Sequence, residues 1–262
     1  VERAHDTFFV VTNEGGASNF RVLAAPSGDA GLPVPREQWK ELVSHDPSAV
    51  IEDMDVTRTH LVLYVRTHGC PALRLIALDT STSASVCAST SADRLVRFSE
   101  PGAVLTPGVN ADYEAAAVRA TVSAPLLPQQ VVDVAVATGE VMERRKVAVP
   151  SYPDFDALRA RVVHVPVRDG VHVPLTLVHD VRLPRDGSNP LLLRGYGAYG
   201  LVMPTDYAPT DLSLLQRGWV LAFAHGRGGG ELGRAWYEAG RGPNRWNAFF
   251  DFADCARWLH AQ

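Results

Sequence analysis

Cysteine is scarce in this sequence, and the spacing of the cysteines indicates neither a disulfide framework nor a metal site. The three cysteines among 262 residues, Cys70, Cys87 and Cys255, are an odd number and form no Cys-x-x-Cys pair. This excludes a disulfide-rich mini-protein and leaves no cysteine–histidine cluster at the spacing of zinc ligands. Free thiols are typical of a reducing compartment, so the sequence predicts a cytoplasmic protein.

Long apolar runs and an excess of positive charge are also missing. The longest apolar runs, such as 219–224, are far shorter than the ~20 residues that cross a bilayer. The first six residues lack the basic start and apolar stretch of a signal peptide. The formal net charge of -4 gives no electrostatic reason to expect nucleic-acid binding. Neither a membrane nor a nucleic acid is therefore predicted as a partner.

The composition is that of an ordinary globular protein. It is 46% hydrophobic and 21% charged, and a length of 262 residues favours about two domains with real cores. The first part, to about residue 149, has short β-branched or aromatic runs at 8–12, 20–25, 61–66, 73–78 and 131–136. Turn clusters separate these runs, which favours a sandwich, a barrel or a propeller. At ~40–50 residues per blade, a propeller would have about three blades here.

From about residue 152 the pattern changes to strands that alternate with helices. Asp169-Gly170 lies between the apolar runs 162–167 and 171–178, which is the strongest short signal for a β-hairpin. Short buried strands are predicted over 190–193 and 219–224. This order predicts an α/β sheet with crossover connections.

Two helices are predicted in this second part. One covers 211–217, with Thr210 or Asp211 as its N-cap and Gly218 after its end. The other covers 246–261 and is amphipathic. The apolar residues near one face are Phe249, Phe250, Ala253 and Trp258.

Two glycine-rich stretches, 195–200 and 228–233, follow predicted strands and match Gly-x-Gly-x-x-Gly. Dinucleotide binding is disfavoured, because Pro204 opposes a helix after the first stretch and no acid ends the next strand. Two interpretations stay open. The glycines allow tight turns, or the two loops form one wall of an active site at the carboxyl ends of the strands.

The residues around these stretches resemble the prolyl oligopeptidase family of serine peptidases. The most specific part is the block Arg227-Gly228-Gly229-Gly230-Glu231 with Gly195-Tyr196-Gly197 upstream. The likeness covers nearly the whole chain and is greatest to the oligopeptidase B and prolyl endopeptidase-like groups. The segments that carry it are 12–13, 19–21, 39–42, 137–140, 192–200, 217–222, 225–240 and 247–252.

The resemblance implies a mixed fold, a partial β-propeller followed by the N-terminal part of an α/β-hydrolase domain. Residues 1–151 would be the C-terminal blades of the propeller, and residues 152–262 would be the start of the catalytic domain. The chain would be an internal fragment that ends before the nucleophile elbow. Its missing partners would be the N- and C-terminal portions of the same protein.

The resemblance also implies roles for individual residues. The Tyr196 hydroxyl would donate to the oxyanion of the tetrahedral intermediate, although a strand-end core tyrosine is the alternative. Tyr199 would lie near the pocket for the residue before the cut bond, or would only pack its loop. The acid pair that recognises basic residues in oligopeptidase B would fall on Pro204 and Asp206, of which only Asp206 is acidic. The structural loop would comprise Arg227, Gly228, Gly229, Gly230 and Glu231.

The triad itself is expected elsewhere. The sequence contains no Gly-x-Ser-x-Gly, so Ser, Asp and His are expected after Gln262, and the chain alone should be inactive. The implied function of the whole protein is hydrolysis of short peptides, with basic residues as candidate cleavage points. The alternatives are an esterase or thioesterase of the same family, or a non-catalytic propeller interaction module. No metal and no organic cofactor is implied.

Overall fold

The computed structural model describes residues 1–28, 31–79, 87–149 and 155–262. The chain divides into two compact units. The first comprises Val1–Phe98, Leu105–Thr121 and Val131–Arg144, and the second comprises Ser99–Val104, Val122–Gln130 and Arg145–Gln262. The sequence-based boundary between 151 and 152 stays a prediction.

The described residues up to 146 form three four-stranded sheets. Their strands adjoin in chain order: β1 (Glu2–Ala4), β2 (Thr7–Thr12), β3 (Arg21–Pro26) and β4 (Lys40–Val43); β5 (Ala49–Val56), β6 (His60–Thr67), β7 (Cys70–Asp79) and β8 (Cys87–Arg97); β9 (Val104–Pro107), β10 (Ala117–Ala124), β11 (Leu127–Ala135) and β12 (Val141–Lys146). Neighbouring strands of the first two sheets are antiparallel. Small sheets with this order are the form that propeller blades take.

The central strand β6 shows why these residues form a core. It lies between β5 and β7 and is buried at every position from 61 to 66. Leu61, Leu63 and Val65 alternate along the strand and pack in one cluster with Phe9 and Val22 of the first sheet. A strand covered on both faces is expected to be a continuous apolar run, as 61–65 is here, and the buried Arg66 after it is paired with Glu52.

The second unit contains a mixed sheet in the order β13-β14-β16-β15. Its strands are β13 (Leu158–Pro166), β14 (His172–Asp180), β15 (Leu191–Gly195) and β16 (Val220–Ala224). β13 and β14 form the predicted hairpin, closed by a hydrogen bond of 2.9 Å from the Gly170 amide to the Val167 carbonyl. β14 and β16 are antiparallel, whereas β15 and β16 are parallel and joined by a helical crossover.

Helices cover both faces of this sheet. They are α1 (Pro209–Leu215), α2 (Arg234–Glu238) and α3 (Arg245–His260). Along β16, Leu221 and Phe223 pack in a cluster with residues of α1, whereas Ala222 and Ala224 share a cluster with Cys255 of α3. This period-two division of one strand between two cores is what an α/β sheet requires.

The predicted cap of α1 is wrong. The helix begins at Pro209, and Ala208 is the N-cap residue, with an extended backbone and no side-chain hydrogen bond. Proline suits the first helical position because its fixed φ is helical and its missing N–H would have had no partner there.

The predicted apolar face of α3 is confirmed for Trp258, which packs against the core, and is wrong for Phe249 and Phe250. The buried residues are Ala248, Asp251 and Cys255, at the i, i+3, i+7 spacing, whereas Phe249 is 52% and Phe250 is 37% exposed. The helix turns an acidic residue inward because a buried cation lies opposite it, as the next subsection describes.

Candidate active site

The two glycine-rich stretches meet at one edge of the mixed sheet. β15 and β16 are parallel, and Gly195 pairs with Ala224 at their carboxyl ends. The segments that follow, 196–208 and 225–233, therefore leave the sheet side by side. Open α/β sheets bind their ligands at this edge.

Backbone contacts hold the two segments together. The Gly200 amide donates to the Gly228 carbonyl at 3.0 Å, and the Gly230 amide donates to the Leu201 carbonyl at 3.2 Å. A Cβ atom on Gly228 would lie 2.3 Å from the Gly197 oxygen, and one on Gly230 would lie 2.3 Å from the Gly200 oxygen. Any larger residue at 228 or 230 would force the segments apart.

Arg227 anchors the second segment to α3. Its backbone amide and its Nε each donate to Asp251 Oδ2 at 2.9 Å, and its Nη2 donates to Oδ1 at 2.6 Å. Nη1 donates to Asp169, in the hairpin turn, at 2.6 Å. Asp251 is fully buried and Arg227 nearly so. The hydrogen bonding of the Arg227 side chain to Asp251 is the main cause of the raised pKa of Arg227, which keeps the guanidinium charged.

Glu231 and His225 connect the two segments to each other and to strand β14. Glu231 Oε1 accepts a 2.8 Å hydrogen bond from the Met203 amide and lies 3.4 Å from His225 Nδ1. His225 Nε2 is 2.8 Å from the Thr176 hydroxyl on β14. All of these side chains except that of Met203 are buried. Glu231 therefore joins the segment carrying Asp206 to the glycine loop.

Tyr196 stands at the end of β15 and is 50% exposed. It lines a cleft of about 200 Å³ together with Arg245, Phe249 and Phe252 of α3. The floor of the cleft is made of small residues: Gly195, Gly197, Ala224, Gly226 and Ala248. The described residues thus leave about half of the Tyr196 side chain uncovered, and its role stays a prediction.

Tyr199 is the most exposed tyrosine of this segment, at 80%, and its φ is +56°. A non-glycine residue in this left-handed region is uncommon and costs free energy. The hydrogen bond from the Gly200 amide to Gly228 holds the conformation in place. Such local strain concentrates at functional sites, and here it presents an aromatic ring to solvent.

Asp206 is exposed, but the residues on either side of it are fixed. The Thr205 hydroxyl donates to the Gly102 carbonyl at 2.7 Å, and the Tyr207 amide donates to Ser123 Oγ at 3.0 Å. The Asp206 carboxylate is thus held by an ordered backbone and faces solvent.

The structure adds residues that the sequence did not single out. Asp251 and Asp169 hold Arg227, Thr176 holds His225, and Arg245 and Phe252 line the cleft beside Tyr196. An acidic residue at an inward position of α3 was the one available signal for Asp251.

Within the described ranges, no three His, Cys, Asp or Glu side chains are grouped as metal ligands would be. No helix in the same ranges is long and apolar enough to cross a membrane.

Comparison with known proteins agrees with this architecture. The family model for the N-terminal β-propeller domain of prolyl oligopeptidase matches residues 1–146, and the prolyl oligopeptidase family model matches residues 206–262. Dipeptidyl aminopeptidase BI of Pseudoxanthomonas mexicana is 33% identical over 97% of this chain and 33% of its own length. Protease 2 of Moraxella lacunata is 28% identical over 99% of this chain and 35% of its own length.

The solved structures are similar in the same way. Oligopeptidase B from Leishmania major superposes with a TM-score of 0.85 and 29% identity, over 97% of this chain and 35% of that one. The chain thus spans about a third of the length of its relatives. The fold is part of a β-propeller followed by part of an α/β-hydrolase domain, and the chain belongs to the prolyl oligopeptidase family of serine peptidases.

Proposed function

We propose that the protein carrying this chain is a serine-type oligopeptidase that cleaves short peptides through an acyl-enzyme. The observation that supports this best is the placement of Tyr196, a phenol exposed in a cleft at the carboxyl edge of two parallel strands. Acyl transfer needs a rigid donor aimed at the oxygen on which negative charge develops. Tyr196 supplies such a donor on a loop that backbone contacts fix.

The nucleophile and its partners belong, in this proposal, to the part of the protein outside these 262 residues. Serine attack needs a histidine to accept the proton and an acid to orient that histidine. The sequence has no Gly-x-Ser-x-Gly, the elbow that carries the nucleophile in α/β-hydrolases. This chain contributes one oxyanion donor and one wall of the substrate pocket.

The proposed substrates are short peptides, with basic residues as the favoured cleavage points. The relatives include proteins named dipeptidyl aminopeptidase, protease and oligopeptidase, which supports peptides as the substrate class. The exposed and anchored Asp206 carboxylate suits a basic side chain. Only one acid is present there, because residue 204 is proline, so a strong demand for paired basic residues is not part of the proposal.

A serine-directed fluorophosphonate probe tests this function on the full-length protein. We expect one labelled serine, outside residues 1–262, and faster hydrolysis of short peptides with arginine before the cut bond than of those with proline. The 262-residue chain alone is the matched control and should stay unlabelled. If the full-length protein is not labelled, the proposal of a serine peptidase is wrong and an interaction module is favoured. If it is labelled but hydrolyses esters and not peptides, an esterase is favoured.

Replacing Tyr199 with glycine should separate stability from substrate binding. A left-handed backbone costs a non-glycine residue about 1–2 kcal/mol. Glycine avoids this cost, but it loses more conformational entropy on folding, which offsets roughly half of the gain in stability. We expect a full-length Tyr199→Gly enzyme with an unchanged or slightly raised Tm and a kcat/KM lowered about fivefold, the size of one lost aromatic contact. Tyr199→Asn, which tolerates the backbone but removes the ring, should lose the same activity. A lower Tm with unchanged kcat/KM would contradict this role.

We also propose a cytoplasmic location for the protein. Cys70 and Cys255 are free thiols, which suits a reducing compartment. Recovery of the native protein in a secreted or periplasmic fraction would contradict this.

A further inference from the structure

Arg245 is the first residue of α3, and its side chain reaches back to the loop that carries Tyr196. Its Nη1 donates to the Gly197 carbonyl at 2.5 Å. The guanidinium carbon lies 5.0 Å from the centre of the Phe249 ring, and the residue is half-buried. Arg245 therefore fixes the Gly197–Ala198 peptide, the second peptide unit after Tyr196, while its guanidinium stacks on Phe249 in the wall of the same cleft.

The position of Arg245 is not explained by helix stability. The amino end of a helix carries a partial positive charge, so a cation in the first turn is unfavourable there. α3 has no acidic residue in its first turn to offset this charge. Where a side chain opposes a local preference, a functional role is the usual reason.

The remaining anchors of the loop lie at its other end. The Gly200 amide bonds to Gly228, and the Leu201 amide bonds to Ala198. At this end of the loop, the Gly197 carbonyl accepts the bond from Arg245 and lies close to Gly228. Gly197 has a φ of +57°, and a glycine backbone changes conformation easily. A donor bound to its carbonyl therefore limits the orientation of this part of the loop.

We infer that Arg245 is a positioning residue that aims the Tyr196 hydroxyl at the oxyanion, an inference that rests on the proposed function. Oxyanion donors act over 2.7–3.1 Å, and a displacement of about 1 Å costs roughly 100-fold in rate. Loss of the bond to Gly197 leaves the hydroxyl present but badly aimed. Arg245 acts on the turnover step through Tyr196, not on substrate affinity.

A double-mutant cycle in the full-length enzyme tests this inference. R245M should lower kcat about 10–100-fold, with KM changed less than about threefold, and R245K should recover part of the loss because it still donates to Gly197. In a Y196F background, R245M should have an effect of less than about threefold, because the hydroxyl it aims is gone. Arg257 is an exposed arginine near the end of the same helix, and R257M should leave kcat within about twofold of the wild-type value.

The outcomes separate the inference from the proposed function. If the wild-type protein neither reacts with the fluorophosphonate nor cleaves peptides, both are wrong. If the wild type is active and R245M lowers kcat by the same factor in the wild-type and Y196F backgrounds, only the inference is wrong. If R245M does not fold, R245K completes the same cycle, because its partial loss of kcat should also disappear in the Y196F background.

Discussion

Replacement of Asp251 by alanine is expected to lower the free energy of unfolding of the unit that contains α3 by about 3–5 kcal/mol, the cost of breaking a buried ion pair from one side. Asp251 is fully buried and receives hydrogen bonds from the amide, Nε and Nη2 of Arg227. Its removal leaves the Arg227 guanidinium, which stays charged in proteins, nearly buried and without its main partner.

The second partner of Arg227 limits the loss but does not abolish it. Asp169 remains at 2.6 Å from Nη1, yet its side chain is 41% exposed and lies in the hairpin turn. The Nε, Nη2 and backbone amide groups still lose their acceptor. Asp251→Asn keeps an acceptor oxygen without the charge, so its loss should fall between those of the wild type and of Asp251→Ala.

Glu238→Ala is a matched control, because Glu238 also binds two arginines in the same unit. Its pairs with Arg234 and Arg241 lie at the surface, with all three side chains 45–50% exposed. The expected loss is below about 1 kcal/mol, since solvent screens such pairs.

Denaturant unfolding of the full-length protein gives the overall effect. Hydrogen–deuterium exchange of peptides that include Arg227 gives the local one, because its amide donates to Asp251. Equal losses in the Asp251→Ala and Glu238→Ala proteins would show that the buried pair does not hold this edge of the sheet.

The same ion pair explains where prediction from sequence succeeded and where it failed. The hairpin around Gly170 was predicted because its signal is local, an Asp-Gly turn between two apolar runs. The extent of α3 was also predicted, to within a residue at each end. The burial of Asp251 on its inner face was not, because the inward position of Asp251 depends on Arg227, which is 24 residues away in the chain.

Local irregularity hid other elements. β5 was not predicted, because acidic residues interrupt its apolar pattern and a register shift between Ile51 and Asp53 breaks the alternation. The place of Tyr196 at the sheet edge followed from its position after a predicted strand. The contact of Arg245 with Gly197 joins residues 48 apart, so no local pattern could indicate it.

Tyr196→Phe is expected to lower kcat of the full-length enzyme by about 10²–10³, the usual loss for one oxyanion donor. The substitution removes the hydroxyl and leaves the ring, so the cleft wall, the loop and the packing should stay intact. KM should change little, because the hydroxyl acts on charge that develops after the substrate has bound.

Two readouts and one control make this prediction sharp. Attack on a fluorophosphonate also places negative charge on an oxygen in the same site, so the labelling rate should fall in parallel with kcat. Tyr237→Phe removes a hydroxyl from another half-buried tyrosine near the loop and should keep kcat within about twofold. A Tyr196→Phe enzyme that keeps more than half of its kcat would assign the oxyanion to other donors. Arg245 would then have no hydroxyl to aim, so this single substitution decides whether the loop between β15 and α1 takes part in the chemistry or only closes the edge of the sheet.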